Sequence, residues 1–196
     1  MRSPVYWHPV IYNGIMKMLY GTYFQDRYKA IAEIIPDNAS ITEICAGDAY
    51  LYLNYLKKKN INYTGLDINS VFVRSAQKKN ISFKQFNLMT DEVPLSDYVI
   101  IQASLYQFIP NEDIIISKLL ASTKKVLIIA EPVRNLSDSN NPLISFFAKY
   151  SANPGNNHVH NRFNAQTLST CFRKYPQLSE LNEIKGGREM VGVFRK

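Results

Sequence analysis

The residues with the clearest chemical use lie between positions 41 and 69. Glu43 sits near the end of a short apolar run, residues 41–44, and the chain then passes through Cys45-Ala46-Gly47-Asp48-Ala49. A helix-patterned stretch, residues 50–59, leads to a strand-like run at 63–66 that closes on Asp67, twenty residues after Gly47. Strand, tight turn, helix and a strand ending in a carboxylate form half of a nucleotide-binding crossover unit. A carboxylate so placed accepts hydrogen bonds from ribose hydroxyls, and a glycine in the turn lets backbone approach a ligand closely. The chemistry implied is recognition of an adenosine-containing cofactor. The turn has one glycine, so it lacks the G-x-G-x-x-G dinucleotide fingerprint, and the chain has no G-x-x-x-x-G-K-[ST] phosphate cradle.

With those residues in view, the turn resembles the first motif of the class I S-adenosylmethionine-dependent methyltransferases: an acid, a hydrophobic residue, then Gly-x-Gly-x-Gly. Glu43 matches the acid, Gly47 the middle glycine and Asp48 the polar residue after it. Cys45 and Ala49 put small side chains where the outer glycines stand. The likeness continues in order along the chain. Asp67, within Gly65-Leu66-Asp67-Ile68-Asn69, matches the ribose-binding acid. Residues 81–87 resemble the third strand, with Asn87 where an Asp contacts the adenine amino group. Residues 97–104, which include Gln102, resemble the fourth strand and its following motif; 125–132 resemble the fifth strand and 163–168 the start of a late helix. The resemblance implies a cofactor, S-adenosyl-L-methionine, held by Glu43, Cys45, Gly47, Asp67, Ile68, Asn87, Leu88 and Gln102.

Holding these residues together requires alternating strands and helices. The continuous apolar runs at 99–101 and 126–129 suit strands covered on both faces, and residues 111–123 between them carry an apolar helical face. The expected architecture is α/β: a doubly wound, mostly parallel, Rossmann-like methyltransferase sheet. A Gly186-Gly187 connection between two strand-like runs predicts a C-terminal antiparallel hairpin. Helical spacing of Ile11, Ile15, Met18, Leu19 and Tyr23, and of Ile31, Ile34 and Ile35, predicts N-terminal helices. The reading is of one domain over residues 1–196. A helical cover occupies 1–36 and the sheet domain 37–196, with an insertion at about 134–162 that is partly helical or a lid.

Composition narrows the class. At 196 residues, 46% hydrophobic and 20% charged, the chain can bury a substantial core. No apolar run approaches the roughly 20 residues that span a bilayer. Cys45 and Cys171 are too few for a disulfide framework, so the expected compartment is a reducing cytoplasm. The net charge of +7 comes from lysines spread among loops and helix ends, which favours a solvated surface over a nucleic-acid groove.

The methyl acceptor has no single motif. Candidate pocket residues are Ser104, Tyr106 and Gln107, then Glu131, Arg134 and Asn135, and the aromatic cluster of Tyr6, Trp7, His8 and Tyr12. His158 and His160 alternate, and one of them could act as a general base; no third residue completes a metal site. The catalytic candidates are therefore His158, His160 and Tyr106. The Asn-Pro-Pro-[Tyr/Phe] signature of amino-group methylation is absent, and no nucleic-acid module is appended. A small, apolar or aromatic metabolite is the leading acceptor class. A non-catalytic methyltransferase-like partner subunit and an RNA-modifying methyltransferase are the alternatives, and no motif encodes the oligomeric state.

Overall fold

Residues 25–134 and 162–196 are described by a computed structural model. Strands β1 (Ser40–Ile44), β2 (Asn62–Asp67), β3 (Phe83–Gln85), β4 (Ser96–Gln102) and β5 (Thr123–Pro132) run parallel. β6 (Leu178–Glu183) and β7 (Glu189–Arg195) form a hairpin whose second strand lies antiparallel against β5. The spatial order is β3-β2-β1-β4-β5-β7-β6. Chain order reverses between β1 and β4, so the crevice above that pair is the switch point where ligands bind such sheets.

Two helical layers cover the sheet because its central strands are apolar on both faces. Tyr98, Ile100, Val126 and Ile128 point to one face and pack with Tyr28 and Ile31 of α1 (Asp26–Ile34) and Val73 of α2 (Ser70–Gln77). Val99, Ile101, Leu127 and Ile129 point to the other. There they meet Ile115 and Leu119 of α3 (Glu112–Ala121) and Leu168 and Phe172 of α4 (Ala165–Phe172). The period-two alternation along each strand assigns neighbouring residues to opposite layers. Each fully buried Ile or Leu contributes about 1.5–3 kcal/mol relative to exposure.

Local chemistry sets the ends of these elements. Asn69 caps α2 by accepting from Val71 N–H (3.0 Å), and Asn164 with Thr167 forms a capping box at α4. The hairpin turn places Gly186 and Gly187 at φ +94° and +63°, a conformation that side chains with a Cβ resist. The helix expected over 50–59 is irregular: a π-helical turn, Tyr52–Leu56, tightens into a 3-10 turn, Lys57–Lys59. Tyr52 stacks on Tyr63 of β2 there, with ring centroids 4.3 Å apart. Of the expected N-terminal helices, α1 is described. The insertion core, the aromatic cluster at positions 6–12, Asn135, His158 and His160 lie outside the described residues. No helix among the described residues is long and apolar enough to cross a membrane.

Candidate functional site

The turn after β1 has a backbone made for glycine at three alternate positions. Cys45, Gly47 and Ala49 have φ of +54°, +55° and +62°. A residue with a Cβ pays about 1–2 kcal/mol for such a conformation, so Cys45 and Ala49 hold glycine geometry under strain. Their small side chains match the spacing seen in the sequence. At Gly47 an added Cβ would meet no atom within 4 Å, so the turn opens there onto free space.

Asp67 locks the turn to the end of β2. Its Oδ2 accepts from Gly47 N–H (2.8 Å) and its Oδ1 from Asn69 N–H (2.8 Å). A carboxylate accepts up to about four hydrogen bonds, so it can hold backbone and ligand donors together. Ile68 beside it is 53% exposed, an apolar surface at the sheet's carboxyl end. Phe86 N–H donates to the Asp67 carbonyl (3.0 Å), bringing Asn87 next to this corner. The Asn87 side-chain oxygen accepts from Met89 N–H (3.1 Å), so Asn87 also caps a turn. Leu88 is buried, and its carbonyl accepts from Lys118 Nζ (2.7 Å).

Glu43 and Gln102 meet across the switch point. Gln102 Nε2 donates to Glu43 Oε1 (2.6 Å), and the Tyr63 hydroxyl donates to Glu43 Oε2 (2.6 Å). Burial raises the Glu43 carboxyl to about 7, opposed by those two hydrogen bonds. Gln102 Oε1 is buried without a hydrogen-bond partner among the described residues. It is an acceptor left open at the switch point.

Between the turn and the loop after β4 lies a cleft of about 50 Å³, lined by Arg27, Cys45, Gly47, Tyr50, Gln102 and Ser104 among others. Cys45, Gly47 and Gln102 were expected there from sequence. Arg27 and Tyr28, from α1, were not. An arginine on a short amphipathic helix reads as solvated, and its burial here is supported by Glu189, 162 residues away, and by the Tyr28 hydroxyl. Behind the loop that borders the cleft at Ser104 lies buried Glu131, at the end of β5. Its Oε1 accepts from Ser104 N–H and Leu105 N–H, both at 2.7 Å, and its Oε2 from Tyr106 N–H at 3.4 Å. Burial raises Glu131 to about 7, opposed by the three amide donors. Tyr106 itself has its hydroxyl pushed up by burial, against the Arg162 guanidinium 4.6 Å from its ring centroid. It stays protonated near neutrality, suited to donate a hydrogen bond. Burial likewise pushes the Cys45 thiol up, keeping it neutral.

Glu43 and Glu131 set a pH dependence. Their folded values near 7 exceed the ordinary value of 4.5, so the unfolded chain binds fewer protons between those limits. The stability they contribute is whole below about pH 4.5 and lost as pH rises through 7. Urea midpoints should fall between pH 5 and pH 8, and Glu43→Gln should show a shallower fall. An equally steep fall in that variant would contradict the assignment.

No protein-family model matches the chain, and no curated protein is similar to it in sequence. Solved structures do match in shape. One is a chain from a complex that contains the Haloferax volcanii Trm112 methyltransferase activator. It has a TM-score of 0.72 at 12% identity, with 100% of this chain and 98% of that chain covered. Another is magnesium protoporphyrin IX methyltransferase from Synechocystis PCC 6803 with bound S-adenosylhomocysteine, at 0.65 and 12%, covering 94% of each chain. The chain has the class I methyltransferase fold. This fold also carries the [4+2]-cyclase SpnF, at 0.65 and 13%, covering 88% of this chain and 80% of that one. Shape therefore leaves the chemistry to the site.

Proposed function

We propose that this protein is an S-adenosylmethionine-dependent methyltransferase acting on a small, apolar or aromatic metabolite. The observation that carries the reading is the turn at 45, 47 and 49. Three left-handed residues, two of them strained, open onto space at Gly47 while its N–H is fixed to Asp67. Strain of this kind persists where the surrounding structure enforces it, and functional sites are where it clusters.

The residues fit the cofactor. Asp67 would accept from the ribose hydroxyls, and Ile68 would lie against the adenine with Asn87 and Leu88 at its edge. Gln102 Oε1, open and buried, would accept from the amino group at the methionine end. When bound, the cofactor supplies an electrophilic methyl group on its sulfonium. The chain's own task is to orient and to exclude water. Glu131 holds the loop at Ser104–Tyr106 in one geometry through its backbone amides, and that loop borders the cleft. The aromatic surface of Tyr28 and Tyr50 in the cleft, and Tyr106 nearby, favours an apolar or aromatic acceptor. Magnesium protoporphyrin IX, the substrate named for one structural neighbour, is a flat molecule of that general kind.

Calorimetric titration with S-adenosylhomocysteine tests the reading, and Gly47→Ala sharpens it. Because the new Cβ meets nothing in the protein, the variant should lose only about 1 kcal/mol of stability from backbone strain. Its methyl would project into the space assigned to the ligand, so affinity should fall at least tenfold. No heat of binding in the parent protein at millimolar ligand, or unchanged affinity in the variant, would refute the assignment.

A further inference from the structure

Lysines dispersed in the sequence are gathered by the topology. Every parallel strand starts at one rim of the sheet, and the helix after it returns there. Lys57 and Lys58 end the helical turn after β1, Lys78 and Lys79 follow α2, Lys124 opens β5 and Lys196 follows β7. All six are exposed. Backbone hydrogen bonds place Lys57, Lys58, Lys124 and Lys196 on this rim: Asn38 N–H to Lys59 O (3.1 Å), Ser96 N–H to Ser122 O (3.1 Å) and Lys196 N–H to Lys125 O (2.9 Å); α2 carries Lys78 and Lys79 back to it. Two further cations there are paired, Lys125 with Asp97 (3.0 Å) and Arg195 with Glu180 (2.9 Å). None of the six has an acidic partner within ion-pair distance among the described residues. Glu33 and Asp37 are exposed acids at this end, and Glu92 is an exposed acid shortly before β4.

Helix dipoles account for lysines at helix ends, as at 57, 58, 78 and 79. They do not account for Lys124, within β5, or Lys196, directly after β7. From β3 to β7 the rim crosses five strand spacings, about 24 Å. A nucleic-acid duplex carries one phosphate per about 1.7 Å of axis, so the charge densities are complementary along such an edge. An anionic membrane fits less well. Leu95, 60% exposed, is the large apolar side chain this rim offers, and surface insertion needs a broader apolar face.

We propose that the amino rim of the sheet is a docking surface for a nucleic-acid backbone, contacted through phosphates and without base readout. It lies one strand length from the cleft, about 20 Å for the seven residues of β4. The surface therefore stands independently of the cofactor reading and holds the polymer away from the cleft.

The test is fluorescence anisotropy of the full chain with a labelled RNA duplex of about 20 base pairs. With six phosphate contacts, affinity should fall about a thousandfold between about 50 and about 200 mM salt. The variant Lys57→Gln/Lys58→Gln/Lys78→Gln/Lys79→Gln should keep its unfolding midpoint, because these side chains are exposed. It should bind at least tenfold more weakly at low salt and lose most of the salt dependence. Lys84→Gln/Lys185→Gln, off the rim, should bind like the parent. The proposal is overturned by no binding at low salt, by equal binding in the rim variant, or by an equal loss in the off-rim variant. Capture by phosphatidylglycerol vesicles with no binding to RNA would overturn it as well.

Discussion

Asp67→Ala should lose S-adenosylhomocysteine affinity by roughly tenfold to a hundredfold and lose stability as well. The carboxylate has structural duties to Gly47 N–H and to Asn69 N–H, each at 2.8 Å. Hydrogen bonds to a charged acceptor contribute about 1.5–3 kcal/mol each. Removing both loosens the turn at Gly47, which stays tied to β2 through Ala46 N–H to Leu66 O (3.1 Å). A fall in the urea midpoint is therefore expected even without ligand. The ribose role adds a separate loss of about 1.5–3 kcal/mol in binding. Asp67→Asn separates the two effects. Its one oxygen can replace one backbone acceptor, while its NH2 faces the other N–H, so stability should recover only in part. Binding should stay weak because the remaining oxygen is neutral and already engaged. Calorimetry and denaturation on both variants check this; an Asp67→Ala protein that binds as tightly as the parent would remove the acid from the site.

Legibility in the sequence followed the range of the interactions. The unit from β1 to Asp67 could be read because its parts lie within one crossover, where turn, helix and acid have a fixed spacing. The hairpin at Gly186 and Gly187 was equally local, and both residues have the positive φ the pattern requires. Cys45 and Ala49 are more instructive. Their size hinted at glycine positions, but only the backbone shows that they occupy glycine conformations. Ala49 is also fully buried, so a large residue there would disturb packing as well as any ligand. Helical periodicity marked residues 50–59 but cannot distinguish α from π geometry, which depends on how Tyr52 meets Tyr63. Arg27 was beyond reach, because its burial depends on a strand near the chain's end. The basic rim was hidden for the same reason, since strand order brings residues 57, 78, 124 and 196 to one edge.

Arg27→Met should be the most destabilising of these substitutions, by about 3–5 kcal/mol. The arginine is 3% exposed, and its Nη1 donates to Glu189 Oε1 while Nη2 donates to the Tyr28 hydroxyl (3.0 Å). Its partner Glu189 is 4% exposed on β7. Methionine fills much of the volume but leaves that carboxylate without its cation. Burial already pushes the Glu189 carboxyl up, with Arg27 opposing. Without the arginine the rise is larger, so the carboxyl takes up a proton more readily on folding. The sign follows: a raised folded value gives stability that is whole below about pH 4.5 and is lost as pH rises. The deficit relative to the parent should therefore be small in mild acid and grow towards pH 8. Adding Glu189→Gln should recover more than 1 kcal/mol of it, since the uncompensated charge is gone. Urea denaturation of the parent, both single variants and the double variant measures the coupling, and a pH-independent deficit would mean that lost packing, not the orphaned charge, dominates. Because Arg27 also lines the cleft, the same ion pair that fastens α1 to β7 fixes one wall of the candidate site. Loosening it should weaken ligand binding in step with the pH-dependent loss of stability.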